Sequence, residues 1–134
     1  MRKVLVFGTF DLLHKGHFYF LKQAKKYGDF LTVVVSRDIN VKMQKGRLPA
    51  NDEKIRLINI RRLKIANQSL LGERRISYHL IKKINPDVIC IGYDQTPGMI
   101  QAKKILKRIG MSSVVLKKIK AYKPKIYKSS LVRK

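Results

Sequence analysis

The chain has 134 residues, 45% of them hydrophobic, which suits one domain with a buried core. It has one cysteine and no apolar run of 18 residues, and a predicted strand begins at once. We therefore expect a cytoplasmic protein without disulfide, signal peptide or membrane insertion. Its 31 Lys and Arg exceed its 8 Asp and Glu, and the net charge of +23 attracts polyanions such as nucleotides, nucleic acid or anionic lipid. A lysine-rich composition with solvated faces explains this excess equally well, and since no RNA- or DNA-binding motif is present, we expect no specific nucleic-acid partner.

The first predicted strand and the first predicted helix meet at two histidines. An apolar run from Val4 to Phe7 predicts a strand over Lys3 to Phe7, and an apolar and basic pattern from about Lys15 to Tyr27 predicts the helix. Between them, His14 and His17 share one face of the first helical turn because they are three residues apart. A helix start offers unpaired N–H groups and the positive end of the helix dipole, and Gly16 leaves room for a close approach. This junction therefore predicts a phosphate site.

The two histidines also allow simpler interpretations. A metal site needs further ligands, but His79 is the only other histidine and Cys90 the only cysteine, so the pattern disfavours metal. Plain surface histidines are a second alternative. The combination of strand, glycine turn, histidines and helix within the first 27 residues makes that alternative less attractive.

Residues 8–17 resemble a known family. GTFD at residues 8–11 and HKGH at residues 14–17 are similar to motifs of the H-x-G-H, or cytidylyltransferase-like, nucleotidyltransferases, which include glycerol-3-phosphate cytidylyltransferase and the archaeal FAD synthases. The resemblance implies an α/β fold, a Rossmann-like doubly wound parallel five-stranded sheet with helices on both faces. It also implies transfer of a nucleoside monophosphate from ATP or CTP to a phosphorylated small-molecule acceptor, with release of pyrophosphate. Mg²⁺ or another divalent cation and a homodimer are implied as well.

The second strand leads to a basic segment. A β-branched run from Phe30 to Ser36 completes a strand–helix–strand unit, so we expect a parallel sheet with ligands at the carboxyl ends of its strands. Residues 37–47 follow as a basic loop and resemble the family's R-D-x-x-V-x-x-x-K-G-R stretch. In the family a lysine or arginine here contacts the triphosphate, although a basic loop alone is usually just solvated. The matching residues are Lys42, Lys45 and Arg47.

Further predicted elements alternate along the chain. Arg56 matches an arginine of the family, and Asn67 stands where the family has an aspartate. The patterns predict helices over residues 53–63, 77–84 and 99–108, and strands over residues 69–71, 88–91 and 113–116.

The fourth strand ends in GYDQ at residues 92–95, which resembles the family's G-x-D motif through Gly92 and Asp94. Gln95 is more like the archaeal FAD synthases, whereas glycerol-3-phosphate cytidylyltransferases tend to have Trp there, and this chain has no Trp. FMN adenylyl transfer is therefore the preferred reaction, with glycerol-3-phosphate or related cytidylyl transfer as the alternative. A non-catalytic basic module that binds nucleotides or nucleic acid is an alternative of another class.

The last stretch, residues 117–134, carries eight basic residues and no acidic one. Composition alone predicts a disordered basic tail. Its end resembles the family's I-S-S/T-T-x-I-R/K motif, with Lys128 in place of the first hydroxyl residue. We therefore interpret residues 1–134 as a single nucleotidyltransferase domain whose C-terminal segment closes the phosphate site through Ser129, Ser130 and Arg133.

The resemblance assigns two groups of site residues. The histidines would donate hydrogen bonds to phosphate oxygens, and the lysine would neutralise phosphate charge. Mg²⁺ would be bound largely by substrate oxygens and water, so no residue is assigned as a metal ligand. For Asp94, contact with the ribose and contact with the metal are alternatives. The catalytic residues are His14, His17 and Lys42. The nucleotide-binding residues are Gly8, Thr9, Phe10, Asp11, Gly16, Lys45, Arg47, Gly92, Asp94, Ser129, Ser130 and Arg133.

Overall fold

Five parallel strands form the centre of the part of the chain that the structure describes. The computed structural model describes residues 1–74, 78–95 and 98–122. All neighbouring strands are parallel, because each strand is connected to the next by a crossover that includes at least one helix. The strands are apolar and rich in β-branched residues, since a sheet covered on both faces buries both sides of each strand. They are β1 (Lys3–Gly8), β2 (Phe30–Val35), β3 (Gln68–Leu71), β4 (Val88–Gly92) and β5 (Val115–Ile119), in the spatial order β3-β2-β1-β4-β5.

Helices cover both faces of the sheet. They are α1 (Lys15–Lys25), α2 (Asp38–Lys45), α3 (Glu53–Arg62), α4 (His79–Ile84) and α5 (Met99–Arg108). One apolar cluster joins the sheet to α1 and α3, and a second joins it to α4 and α5. The predicted doubly wound α/β fold is therefore confirmed. None of the helices in the described ranges has the length and apolar character needed to cross a membrane.

The two halves of the sheet meet at β1 and β4. From β1 the chain adds β2 and β3 on one side, and then returns to add β4 and β5 on the other. In open α/β sheets, ligands bind outside the carboxyl ends of the strands where the order reverses. The fold therefore predicts a site beyond Gly8 and Gly92, the last residues of these two strands.

The segment after β2 is largely a helix, so the prediction of a loop was wrong. α2 spans Asp38–Lys45, and Gly46 ends it with a φ of 78°, a left-handed conformation that glycine adopts without strain. The backbone N–H of Asp38 donates to the Glu53 carboxylate, and the backbone N–H of Glu53 donates to the Asp38 carboxylate. This exchange caps α2 and α3 reciprocally. It depends on a residue outside α2, so the local pattern did not indicate it.

β5 begins and ends later than predicted. It spans Val115–Ile119 in place of residues 113–116, and so includes Lys117 and Lys118. Both lysine side chains are exposed, because β5 is an edge strand whose position is set by backbone pairing with β4. The basic C-terminal segment therefore begins with strand residues. Residues 123–134, which include the predicted phosphate-closing turn, lie outside the described part of the chain.

Candidate active site

A cavity of about 780 Å³ lies at the carboxyl ends of β1 and β4. Its walls come from the β1–α1 junction, from α2 and the segment after it, from the end of β4 and from the segment after β5. A volume of this size suits a small-molecule ligand. The predicted site residues that line the cavity are Gly8, Thr9, Phe10, Asp11, His14, Gly16, His17, Lys45, Arg47, Gly92 and Asp94.

Lys42 and three residues near the C-terminus are the remaining predicted site residues. Lys42 is exposed on α2 and does not line the cavity, whereas Lys45, three residues later on the same helix, does. Ser129, Ser130 and Arg133 lie outside the described residues, so their role stays a prediction.

An apolar wall on the β5 side of the cavity was not predicted. It contains Phe20 of α1, Ile119 of β5 and Tyr122. The ring of Tyr122 packs against that of Tyr19 with centroids 5.0 Å apart. These residues come from opposite ends of the chain, so no local sequence pattern brings them together. A predicted β5 that ended at Ile119 would have placed this residue at the carboxyl edge of the sheet, and therefore at the site.

His14 and His17 cap α1 reciprocally. His14 precedes the first residue of the helix, and its Nδ1 accepts a hydrogen bond from the N–H of Gly16 at 3.0 Å. The Nδ1 of His17 accepts from the N–H of His14 at 3.3 Å. The two imidazole rings lie side by side, with centroids 4.1 Å apart. Both Nδ1 atoms are therefore used by the backbone at the start of the helix.

These caps determine which ring nitrogen carries the proton. A neutral imidazole has one N–H donor and one acceptor nitrogen. Since Nδ1 is the acceptor in both histidines, each neutral ring carries its proton on Nε2. Both residues line the cavity, so the site presents two imidazole N–H donors. Donors of this kind can stabilise negative charge on phosphate oxygens.

Burial favours the neutral form of both rings. Desolvation lowers the pKa of His14, against an opposing effect of Asp94. Desolvation, helped by the neighbouring His14 ring and by the charge of Lys45, lowers the pKa of His17 to about 4, against an opposing effect of Asp11. At neutral pH the positive charge of the site therefore comes from lysine and arginine rather than from imidazolium.

The turn after β1 leaves no space for a side chain at Gly8. A Cβ at this position would lie 2.6 Å from the ring of Phe10. Phe10 is buried, has a positive φ of 50° that is uncommon outside glycine, and packs edge-on against His17 with ring centroids 5.8 Å apart. The glycine and the phenylalanine of the GTFD run therefore act together, since the ring that closes over Gly8 also supports His17.

Asp11 holds another wall of the cavity in place. Its two carboxylate oxygens accept from the backbone N–H groups of Ala50 at 2.7 Å and Asn51 at 2.9 Å. These bonds tie the segment before α3 to the β1–α1 junction. Because the same segment contributes Arg47 and Pro49 to the cavity, Asp11 positions part of the basic wall.

Arg56 connects the same parts of the protein from the interior. Its side chain is 0% exposed. It donates to the carbonyls of Thr9 and Asn51 at 2.8 and 3.0 Å and to the carboxylate of Asp38 at 2.7 Å. One guanidinium group thus joins the β1–α1 junction to the starts of α2 and α3. Only the family resemblance had singled out Arg56, because arginine is rarely fully buried and its local pattern does not mark it as core.

Known proteins are similar to this chain in sequence and in fold. The cytidylyltransferase-like family matches residues 5–134. The chain belongs to the cytidylyltransferase-like family. Over 131 residues it is 41% identical to a family member named FAD synthase from Thermococcus onnurineus, an alignment that covers 97% of this chain and 87% of the relative. Over 133 residues it is also 41% identical to the FAD synthase of Pyrococcus abyssi, covering 98% of this chain and 90% of the relative.

A solved structure agrees with the family assignment. The lipopolysaccharide core biosynthesis protein from Thermoplasma volcanium superposes with a TM-score of 0.83 and is 35% identical in sequence. The match covers 91% of this chain and 98% of that chain. The predictions of the family, of its Rossmann-like fold and of a nucleotidyltransferase are therefore confirmed.

One departure from the family pattern has a structural explanation. Asn67, which stands where the family has an aspartate, accepts from the N–H of Leu31 through Oδ1 at 2.9 Å. Its own N–H donates to the carbonyl of Leu31 at 2.9 Å. An aspartate oxygen could accept the same hydrogen bond. Because the neutral amide oxygen of Asn67 accepts it here, this contact does not require a negative charge. Asn67 therefore anchors the entry to β3 against β2.

Proposed function

We propose that the protein is an FMN adenylyltransferase, which forms FAD and pyrophosphate from ATP and FMN. The observation that carries the proposal is the pair of Nε2–H donors of His14 and His17 in a cavity that also contains lysine and arginine. The choice of ATP and FMN is supported by the relatives named FAD synthase, which align with nearly the whole chain.

The reaction needs positioning and charge stabilisation rather than a covalent intermediate. A phosphate oxygen of FMN attacks the α-phosphorus of ATP, and the bond from that phosphorus to the oxygen bridging to the β-phosphate breaks. Pyrophosphate leaves with the bridging oxygen. His14 and His17 donate their Nε2–H groups to oxygens of the α-phosphate, on which negative charge grows in the transition state.

The triphosphate is assigned to the α2 side of the cavity. Lys45 and Arg47 line the cavity there, and their positive charges can neutralise the β- and γ-phosphates. Lys42 lies three residues before Lys45 on the same helix and does not line the cavity, so its contact with the triphosphate stays a prediction. In this arrangement the neutral histidine donors contact the α-phosphate, and the positive charges of Lys45 and Arg47 stabilise the leaving pyrophosphate.

A divalent cation is expected to enter with the triphosphate. Mg²⁺ usually keeps several water ligands and binds substrate phosphates in sites of this kind. In the described ranges no three His, Cys, Asp or Glu side chains come together as a metal site, and both oxygens of Asp11 accept backbone N–H groups. These residues fit an ion held by phosphate oxygens and water, which would supply additional charge neutralisation between the phosphates.

Two features of the proposal rest on the sequence alone. A homodimer follows from the family resemblance, and light scattering of the purified protein tests it. A cytoplasmic location follows from the sequence composition, and cell fractionation tests it.

The proposed reaction is tested with purified protein and a panel of substrates. ATP or CTP, with Mg²⁺, is combined with FMN, with glycerol 3-phosphate or with no acceptor, and pyrophosphate release is measured. We expect release with ATP and FMN together, and an equal amount of FAD. Release with CTP and glycerol 3-phosphate instead would support the cytidylyltransferase alternative, and nucleotide binding without release would support a non-catalytic module. The double variant His14→Ala and His17→Ala, purified in the same way, controls for contaminating activity.

A further inference from the structure

β1 and β4 stop pairing with each other before either strand ends, which leaves an opening between their last residues. β1 pairs with β2 as far as Gly8, and β4 pairs with β5 as far as Gly92. Between β1 and β4, however, the register ends at Val6 opposite Cys90. The last two residues of each strand therefore separate from each other while both strands stay paired with their outer neighbours. The cavity lies at this opening.

The side chain of Gln95 bridges the opening. Its Oε1 accepts from the backbone N–H of Gly92 at 3.0 Å, and its Nε2 donates to the carbonyl of Phe7 at 2.5 Å. The backbone N–H of Gln95 also donates to the carbonyl of Gly92 at 3.2 Å, which closes a tight turn after β4. One side-chain amide thus takes the place of a backbone hydrogen bond between the two strand ends.

These contacts require a group that accepts at one atom and donates at another. The N–H of Gly92 can only donate and the carbonyl of Phe7 can only accept, so the group between them must accept on one side and donate on the other. Gln does both. An ionised Glu of the same length would accept from Gly92 but would place a negative charge against the Phe7 carbonyl, and Met would do neither.

We propose that Gln95 is a positioning residue for nucleotidyl transfer, because its amide sets the separation between the ends of β1 and β4. The residues next to this bridge are Gly8 and Thr9 on one side and Tyr93 and Asp94 on the other, and all four line the cavity. The inference rests on the proposed function, since it assigns a role within that reaction. A misplacement of about 1 Å in such groups can cost on the order of 10²-fold in rate.

The test compares Gln95→Met and Gln95→Glu with the control Gln101→Met, which changes an exposed glutamine of α5 in the same way. For each variant, kcat and the KM values for ATP and FMN are measured, and NMR follows hydrogen exchange at the Gly92 amide without substrate. We expect kcat to fall by roughly tenfold or more in both Gln95 variants, with KM for ATP changed by less than about threefold. Exchange at Gly92 should accelerate in Gln95→Met and stay slow in Gln95→Glu and the control.

The outcomes separate the bridge from the reaction. Unchanged kcat in Gln95→Met despite faster exchange at Gly92 would overturn the positioning role, and unchanged exchange would overturn the bridge itself. If thermal unfolding shows that Gln95→Met is not folded, the kinetic comparison uses Gln95→Glu, because that variant keeps one of the two side-chain hydrogen bonds. Absence of turnover in the unsubstituted protein would overturn the proposed function and the role within it, while the exchange result would still decide whether the bridge exists.

Discussion

Replacing His17 by asparagine separates the two roles of this residue. The Oδ1 of asparagine reaches the position of the histidine Nδ1. His17→Asn therefore keeps an acceptor for the backbone N–H of His14, which donates to Nδ1 at 3.3 Å in the unsubstituted protein. The substitution removes the Nε2–H donor. Loss of one such donor costs about 10²- to 10³-fold in kcat, or about 2.7–4 kcal/mol of transition-state stabilisation. We therefore expect kcat to fall by at least the lower factor, with a smaller effect on KM.

Two companion variants make this test specific. His17→Ala loses both the donor and the cap, so it should be as inactive as His17→Asn but less stable by about 1 kcal/mol, the typical value of a helix cap. In His17→Gln, the amide nitrogen reaches the position of Nε2, so this variant should keep more activity than the other two. Steady-state kinetics and urea unfolding followed by circular dichroism provide the measurements. A kcat for His17→Asn within about threefold of the unsubstituted value would refute the assignment of the donor.

Three further predictions concern stability and nucleotide binding. The pKa of His17 is about 4 in the folded protein and about 6.5 in the unfolded chain, which therefore binds more protons between these values. The free energy of unfolding should therefore fall by about 3 kcal/mol as the pH drops from about 6.5 to about 4. An equal fall in His17→Asn, measured by urea unfolding, would show that His17 is not the cause of this pH dependence. Arg56→Met should lower the free energy of unfolding by about 3 kcal/mol, the low end for a broken buried ion pair, because the Asp38 side chain is 26% exposed. The control Arg62→Met, at an exposed position on the same helix, should lower it by less than about 0.5 kcal/mol. Equal losses for the two variants in urea unfolding would be inconsistent with the role of Arg56. Deleting residues 127–134 should weaken ATP binding in calorimetry without changing the thermal unfolding midpoint, and unchanged affinity would remove the tail from the site.

Local patterns were sufficient to predict the sheet core and the paired histidines. The runs that predicted β1, β2, β3 and β4 agree with the observed strands to within one residue at each end. Buried parallel strands leave nearly continuous apolar runs, and this signal needs no knowledge of the partner strand. The histidine site was equally accessible, because the strand, the turn and the helix start that form it are adjacent in sequence.

Features that depend on distant partners could not be predicted in the same way. Lys117 and Lys118 gave β5 no apolar signal, because an edge strand can hold charged side chains in solvent. α2 is completed by the carboxylate of Glu53, which belongs to the next helix. The bridge formed by Gln95 exists only because β1 and β4 separate at their ends. In each case the deciding hydrogen bonds join parts of the chain that no short window of sequence contains.

Transfer of the α-phosphorus of ATP to FMN is the most direct measurement of the proposed function. The full-length protein is incubated with Mg²⁺, FMN and ATP labelled at the α-phosphorus, and the products are separated by chromatography. We expect the label in FAD, with one unlabelled pyrophosphate released for each FAD formed. If the protein binds both substrates but the label stays in ATP, or appears only in AMP, the proposed adenylyl transfer is contradicted.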